Sequence, residues 1–349
     1  MKLSMQVGYA GGFAESVEKV KALESAGMDI VYVAEAYGYD APTLMGYLAA
    51  ETETIQIASG ILPVYTRTPT LIAMTAAGLD EISGGRAILG LGASGPQVIE
   101  GFHGIPYKAP IGHTREVIDI CRKVWAREEP VEHDGKYYTL PLPAGEGTGL
   151  GKALKIITHP VRPRIPVHVA SLGPKNVQMT AELADGWLPI LFHPGKADSV
   201  WGEDLSIGRS KRSSDLGEMD VVAGGLLSVG PEEQVAPIRK FSAGMIALYV
   251  GGMGAREKNF YNQLFQRYGY EAEAKEIQDL YLDGKKKEAA QAVPASFLEE
   301  TSLCGDEAYL ADRIAQFREA GVTVLNVEVI AGDLPSAQKM VSTVKELIS

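Results

Sequence analysis

Val17-Glu18-Lys19-Val20-Lys21-Ala22-Leu23-Glu24-Ser25-Ala26, then Gly27, then Ile30-Val31-Tyr32-Val33 is the stretch whose reading decides the fold. An amphipathic helix runs into a small residue and a glycine, and a short apolar run follows. The same phrase returns as Asn176 to Ala184, Asp185-Gly186 and Trp187-Leu188-Pro189-Ile190. It returns once more as Tyr309 to Ala320, Gly321 and Val324-Leu325-Asn326-Val327. A glycine in that place is expected at the helix C′ position in the left-handed region, and the apolar run after it reads as a buried parallel strand.

Five more strands are predicted over Leu3 to Tyr9, Ile55 to Ile61, Ala87 to Gly92, Pro166 to Ala170 and Val221 to Leu227. Eight strands alternating with helices favour an α/β closed (β/α)8 TIM barrel over an open sheet, although periodicity alone does not separate eight strands from seven. Two segments break the rhythm. Glu129 to Arg164 is rich in Pro and Gly and reads as a long loop with a small hairpin after the fourth strand. Ala255 to Glu300, after the seventh, is charged and helical in pattern, with Phe260, Tyr261, Leu264, Phe265 and Tyr268 at helical spacing. Neither has the composition of a separate core, so residues 1–349 are read as one barrel domain with two insertions, of the kind that form lids or subunit contacts.

Composition narrows the class. The 349 residues are 46% hydrophobic and 22% charged, ordinary for a globular chain with a sizeable core. No apolar run is long enough for a membrane-spanning helix, and the N-terminus reads as a first strand rather than a signal peptide. The net charge of −11 disfavours nucleic acid, whose phosphates require a basic surface. Cys121 and Cys304, both expected in helical or pre-helical segments and without a CxxC pair, suit a reducing cytoplasm. The six histidines form no HxxH or HExxH pattern, so no metal site is expected.

Gly90-Leu91-Gly92-Ala93-Ser94-Gly95 fits a dinucleotide-binding fingerprint directly after a strand. Its place on the fourth strand, the following Pro96 and the missing acidic residue count against a nicotinamide-binding Rossmann unit. At a barrel mouth the same glycines let backbone come close to a bound cofactor. Ala170-Ser171-Leu172-Gly173-Pro174-Lys175 ends the fifth strand and opens a helix, leaving backbone N–H groups free beside a lysine. That is an anion site suited to a cofactor phosphate, or else a plain helix start with a solvated lysine. Ser59 to Pro69 leaves the third strand, where Gly60 relieves crowding or serves function. Glu35 and Glu328, near the ends of the second and eighth strands, are acid/base candidates by position. His193 follows the sixth strand and is a candidate to face the mouth, as well as an ordinary loop histidine. The mouth reads as apolar and aromatic, pointing to a neutral or lipophilic small-molecule substrate.

Ile57-Ala58-Ser59-Gly60-Ile61 through Tyr65-Thr66-Arg67-Thr68-Pro69, followed by Ala87 to Ser94, resembles the luciferase-like monooxygenase superfamily. The stretch continuing through Gly95-Pro96-Gln97-Val98-Ile99-Glu100-Gly101-Phe102-His103-Gly104 resembles its F420-dependent oxidoreductase branch, and the similarity runs on through Gly173-Pro174-Lys175 and Ala184-Asp185-Gly186-Trp187. The resemblance implies a luciferase-like barrel, commonly a homodimer, that holds coenzyme F420 at its C-terminal mouth for hydride transfer. It implies a non-prolyl cis peptide at Gly60–Ile61 behind the deazaflavin ring. It places the ribityl-phosphate part near Gly92, Ala93 and Ser94, and the phosphate against Ala170, Ser171, Leu172, Gly173, Pro174 and Lys175. Related sugar-phosphate dehydrogenases carry an Asp-His pair where Glu35-Ala36 stands and a catalytic Glu where Ser94-Gly95 stands, so sugar-phosphate oxidation is not expected. Glu35, Tyr37, Tyr65 and His193 are the candidates for substrate contact or proton transfer. An FMN-dependent monooxygenase, or a flavin- or deazaflavin-binding protein without turnover, is the alternative.

Overall fold

Every second side chain of a barrel strand faces inward, and the interior of this barrel is small enough for side chains to fill it. The computed structural model describes residues 1–9, 11–254 and 256–349. Among the described residues, eight strands close the barrel: β1 (Lys2–Val7), β2 (Ile30–Val33), β3 (Gln56–Ser59), β4 (Ala87–Gly92), β5 (Val167–Val169), β6 (Gly186–Trp187), β7 (Asp220–Val229) and β8 (Val324–Val329). Each pairs in parallel with the next, and β8 pairs with β1 to complete the ring. Parallel neighbours require crossovers, and the intervening helices cover the outside.

The alternation sorts the residues into two cores. Leu3, Met5, Val31, Val33, Ile57, Leu325 and Val327 face outward into the large core beneath the helices. Ile30, Tyr32, Ala58, Ile88, Val222 and Val324 face inward and form a separate plug, with Leu188 packed against it. The plug closes the lower barrel, so a ligand is confined to the mouth at the strands' C-terminal ends.

Gly27 (φ 102°) and Gly321 (φ 86°) take the left-handed C′ conformation expected of them. Gly186 does not. The helix before it, Pro174–Leu183, ends at Ala184 in extended backbone, and Gly186 already belongs to β6. Its glycine answers a packing demand instead, because a Cβ there would lie 2.6 Å from the His168 ring. β6 is also shorter than expected and stops at Trp187. Cys304 lies in a short strand, Leu303–Gly305, beside the upper part of β7, rather than in a helical or pre-helical segment.

The stretch after β4 holds a hairpin, His133–Asp134 against Thr139–Leu140. The Glu116 carboxylate fastens it by accepting the amides of Lys136, Tyr137 and Tyr138. Ala255, where the second insertion was expected to begin, lies outside the described residues. Beyond it run the helices Phe260–Arg267, Glu271–Leu282, Lys286–Gln291 and Ala295–Glu300. Leu264, Phe265 and Tyr268 are their buried face, while Phe260 is exposed. No described helix is long and apolar enough to cross a membrane.

Candidate active site

The mouth is built on three consecutive strand ends. At the end of β3, Ser59 Oγ donates to the Gly90 carbonyl and accepts the Gly90 amide, both at 2.8 Å. Only glycine fits opposite it, since a Cβ at 90 would lie 1.8 Å from the Ser59 carbonyl oxygen. The next peptide, Gly60–Ile61, is cis, at the bond the resemblance indicates. Tyr32 supports it from below: its Cβ would be 2.9 Å from a Cβ at Gly60. Tyr32 Oη is in turn hydrogen-bonded to His168 Nδ1 at 2.8 Å, inside the barrel. Burial lowers the His168 pKa to about 4 against the acidic influence of Asp220 and Asp185, so the imidazole is neutral at ordinary pH.

Gly92 ends β4 with the Ile61 side chain 2.8 Å from where its Cβ would stand and Ala170 at 3.5 Å. Gly60, Ile61, Gly92 and Ala170 therefore meet at one surface. Ala93 and Ser94 continue it, half-buried. Ser94 holds φ 58°, a left-handed conformation uncommon for a side-chain-bearing residue. The Tyr107 hydroxyl donates to the Ser94 carbonyl at 3.2 Å.

The end of β5 presents backbone donors that have no protein acceptor among the described residues. The Trp187 indole donates to the Ser171 carbonyl at 2.9 Å and the Trp201 indole to the Leu172 carbonyl at 3.0 Å. A trans peptide points its N–H opposite its C=O, so pinning these carbonyls inward turns the Leu172 and Gly173 amides outward. Among the described residues neither amide, nor that of Lys175, has a protein acceptor. Gly173 is the N-cap of helix Pro174–Leu183 and has no side chain to cap it. Three free donors at a helix N-terminus, with the exposed Lys175 beside them, fit a phosphate by the chemistry of the donor set. The Ser171 carbonyl and hydroxyl are both held within the protein, by the Trp187 indole and by Thr180. Thr180 Oγ1 donates to the Asn176 carbonyl, so in the 2.8 Å contact between Ser171 and Thr180 the proton belongs to Ser171. Its hydroxyl proton is committed to Thr180.

The acid/base candidates are less uniformly placed. Glu35 is held in a bidentate pair by Arg67, at 2.5 and 2.8 Å, and also accepts the Ala41 amide at 2.8 Å. Both oxygens are occupied and its side chain is 8% exposed, which suits joining the β2 and β3 loops better than exchanging protons. Tyr37 is exposed at the rim, with its ring 6.1 Å from Phe102. Tyr65 packs on Tyr107 and His113 and donates its hydroxyl to the Lys108 carbonyl at 2.7 Å. Burial, assisted by the phenols of Tyr107, Tyr138 and Tyr137, raises its pKa well above the usual tyrosine value. His193 is fully buried beneath the helical insertion, against Tyr268 and Phe297, with Glu300 Oε2 at 3.2 Å. Burial lowers its pKa. It does not line the open mouth.

Arg67, Tyr107, Trp187 and Trp201 went unassigned in the sequence. Trp187 and Trp201 act through indole donors on backbone carbonyls, which no spacing announces. Arg67 carried a signal of its own, a cation in a strand-end loop requiring a buried partner.

A closed ring of eight parallel strands with helices between them defines the class, an α/β TIM barrel. The chain belongs to the luciferase-like monooxygenase family, whose model matches residues 1–324. It is 42% identical over 334 residues to a Mycobacterium tuberculosis protein bearing the name coenzyme F420-dependent oxidoreductase, covering 94% of each chain. It is 27% identical over 339 residues to the 5,10-methylenetetrahydromethanopterin reductase of Archaeoglobus fulgidus, covering 94% of this chain and 93% of that one. Among solved structures, the F420-dependent tetrahydromethanopterin reductase of Methanopyrus kandleri matches with TM-score 0.77 at 24% identity, over 98% of this chain and 96% of that one. An F420-dependent secondary alcohol dehydrogenase matches with TM-score 0.74 at 18% identity over the whole of both chains, a likeness of fold.

Proposed function

We propose that this protein is a coenzyme F420-dependent oxidoreductase that transfers a hydride between the deazaflavin C5 and a small organic substrate. The observation that carries the reading is the set of free amides of Leu172, Gly173 and Lys175 at the end of β5, with Gly60 and Ile61 at the end of β3 on the other side of β4. Gly92, Ala93 and Ser94 lie between them on β4, where a ribityl chain would run from ring to phosphate. Bound there, F420 supplies the hydride chemistry. The protein binds and orients. Leu172, Gly173 and Lys175 hold the anion, and the Ile61 side chain, seated against the bare Gly92, offers the ring an apolar backing. Tyr37 and Tyr65 remain candidates for substrate contact, and the stretch from Glu129 to Arg164 is read as a lid that excludes water. The relatives' names support F420 over FMN.

A homodimer belongs to the proposal, supported by Leu71, Met74 and Ile82, exposed along helix Pro69–Ser83. Sedimentation showing a monomer at working concentration would remove it. For the chemistry, purified protein is offered alcohols with oxidised F420, and ketones and enones with reduced F420, without oxygen, while the deazaflavin absorbance is followed. Anaerobic, substrate-dependent change is expected. Turnover only with reduced FMN and oxygen would replace the reading with the monooxygenase alternative.

A further inference from the structure

On the side of the barrel opposite the cradle, the inward register of β8 reads Val324, Asn326, Glu328. Val324 lies in the interior plug, and Asn326 accepts a hydrogen bond from Ser4 of β1 at 3.0 Å. Leu325, Val327 and Val329 of the same strand point into the outer core. Glu328 therefore points into the mouth, one layer above the Ser4–Asn326 pair, and it is exposed there. The β1–β8 register pairs Ser4 with Asn326 and Met5 with Val327, and its continuation brings Gln6 beside Glu328. Gln6 is also inward and exposed, and its amide reaches the Gly60 carbonyl at 3.5 Å. Gln6 thus stands between the carboxylate and the bulge.

Glu328 differs from Glu35 in the respect that matters. Among the described residues Glu328 has neither an ion-pair nor a hydrogen-bond partner, whereas Glu35 has its oxygens filled by Arg67 and Ala41. Helix Glu232–Ala247 roofs this side of the mouth: Val235 and Ile238 pack with Leu226 and Ile330, the residue one inward step above Glu328. An unpartnered carboxylate in an apolar, partly roofed mouth is a strong acceptor for a donor group on a ligand.

We infer that Glu328, flanked by Gln6, is the polar anchor of the substrate subsite and selects substrates bearing a hydrogen-bond donor, a hydroxyl or a protonated amine. This rests on the oxidoreductase reading for the word substrate, but the subsite belongs to the chain itself. The donor sits on Glu328 and the apolar body lies toward Leu188 and Ile61. The reacting carbon is thereby turned to the bulge.

The test measures binding of three probes, cyclohexanol, cyclohexylamine and methylcyclohexane, by ligand-observed NMR on the cofactor-free protein and on protein with F420. Glu328→Gln and Glu328→Leu are compared with the parent, and F420 affinity is measured alongside by fluorescence. The parent is expected to prefer both donor probes to methylcyclohexane. Glu328→Leu should lose about tenfold in affinity for both, the scale of one charge-assisted hydrogen bond. Glu328→Gln, which keeps an acceptor without the charge, should lose the amine and retain most of the alcohol. F420 affinity should stay within about twofold, because the cradle is across the barrel. Undiminished donor binding in Glu328→Leu overturns the proposal, as does a parent that shows no preference for donor probes. A large loss of F420 affinity in both variants also overturns it, by moving Glu328 into the cofactor's site. A parent that binds the donor probes but not F420 refutes the cofactor reading and leaves the anchor standing.

Discussion

Arg67→Met should destabilise the protein far more than a surface arginine does, and a second change at Glu35 should repair it. The pair is bidentate, and its side chains are 14% and 8% exposed. Removing one member of a buried pair leaves an uncompensated charge, which costs about 3–5 kcal/mol, against 0–1 kcal/mol for an exposed pair. Unfolding entropy of about 2.1 cal/mol/K per residue over 349 residues gives about 0.7 kcal/mol/K. A loss of about 3 kcal/mol then lowers Tm by roughly 4 °C. In Glu35→Gln/Arg67→Met no charge is left behind, and the glutamine oxygen can still accept the Ala41 amide. Most of the loss should return. Differential scanning calorimetry on the parent, both single variants and the double variant closes the cycle. An Arg67→Met shift below about 1 °C, or a double variant no better than that single one, would refute the reasoning and return Glu35 to the acid/base candidates.

The anion site can be tested one donor at a time. Gly173 has φ −73° and open space where a Cβ would stand, so Gly173→Ala should leave F420 affinity unchanged, while Gly173→Pro removes the amide proton and should weaken it about tenfold. Equal affinities would discard the site. Gly90→Ala places a methyl group against the Ser59 carbonyl and should abolish soluble expression or lower Tm sharply, and a protein of parental Tm would contradict the β3–β4 contact. His168, held near pKa 4 by burial, stays neutral in the folded state while its unfolded counterpart protonates near 6.5. Between those values the unfolded state binds more protons, so stability should fall as pH drops from 6.5 toward 4. His168→Asn should lack that component of the pH dependence of Tm, and an identical profile would contradict it.

Much of the barrel was legible because its signals are local. A helix–Gly–strand phrase, glycines at strand ends and a Pro after an N-cap Gly each report a backbone conformation that the neighbouring residues determine. Gly186 was misread because its glycine answers to His168, which is distant in sequence. The β5 cradle could be read down to its free amides. That Trp187 and Trp201 turn those amides outward, and that Ser171 turns its hydroxyl to Thr180, depends on packing between separate elements. Glu35 and Glu328 looked equivalent as strand-end carboxylates. Only the tertiary partner, Arg67 for one and none among the described residues for the other, tells them apart. His193 followed a strand as a mouth residue should, but the insertion folds over it.

The central claim is that the mouth holds a deazaflavin. Titrating the purified protein with F420 and with FMN, following cofactor fluorescence, tests it most directly. Saturable F420 binding that Gly173→Pro weakens and Gly173→Ala leaves intact is the predicted result. Saturable FMN binding without F420 binding would contradict it.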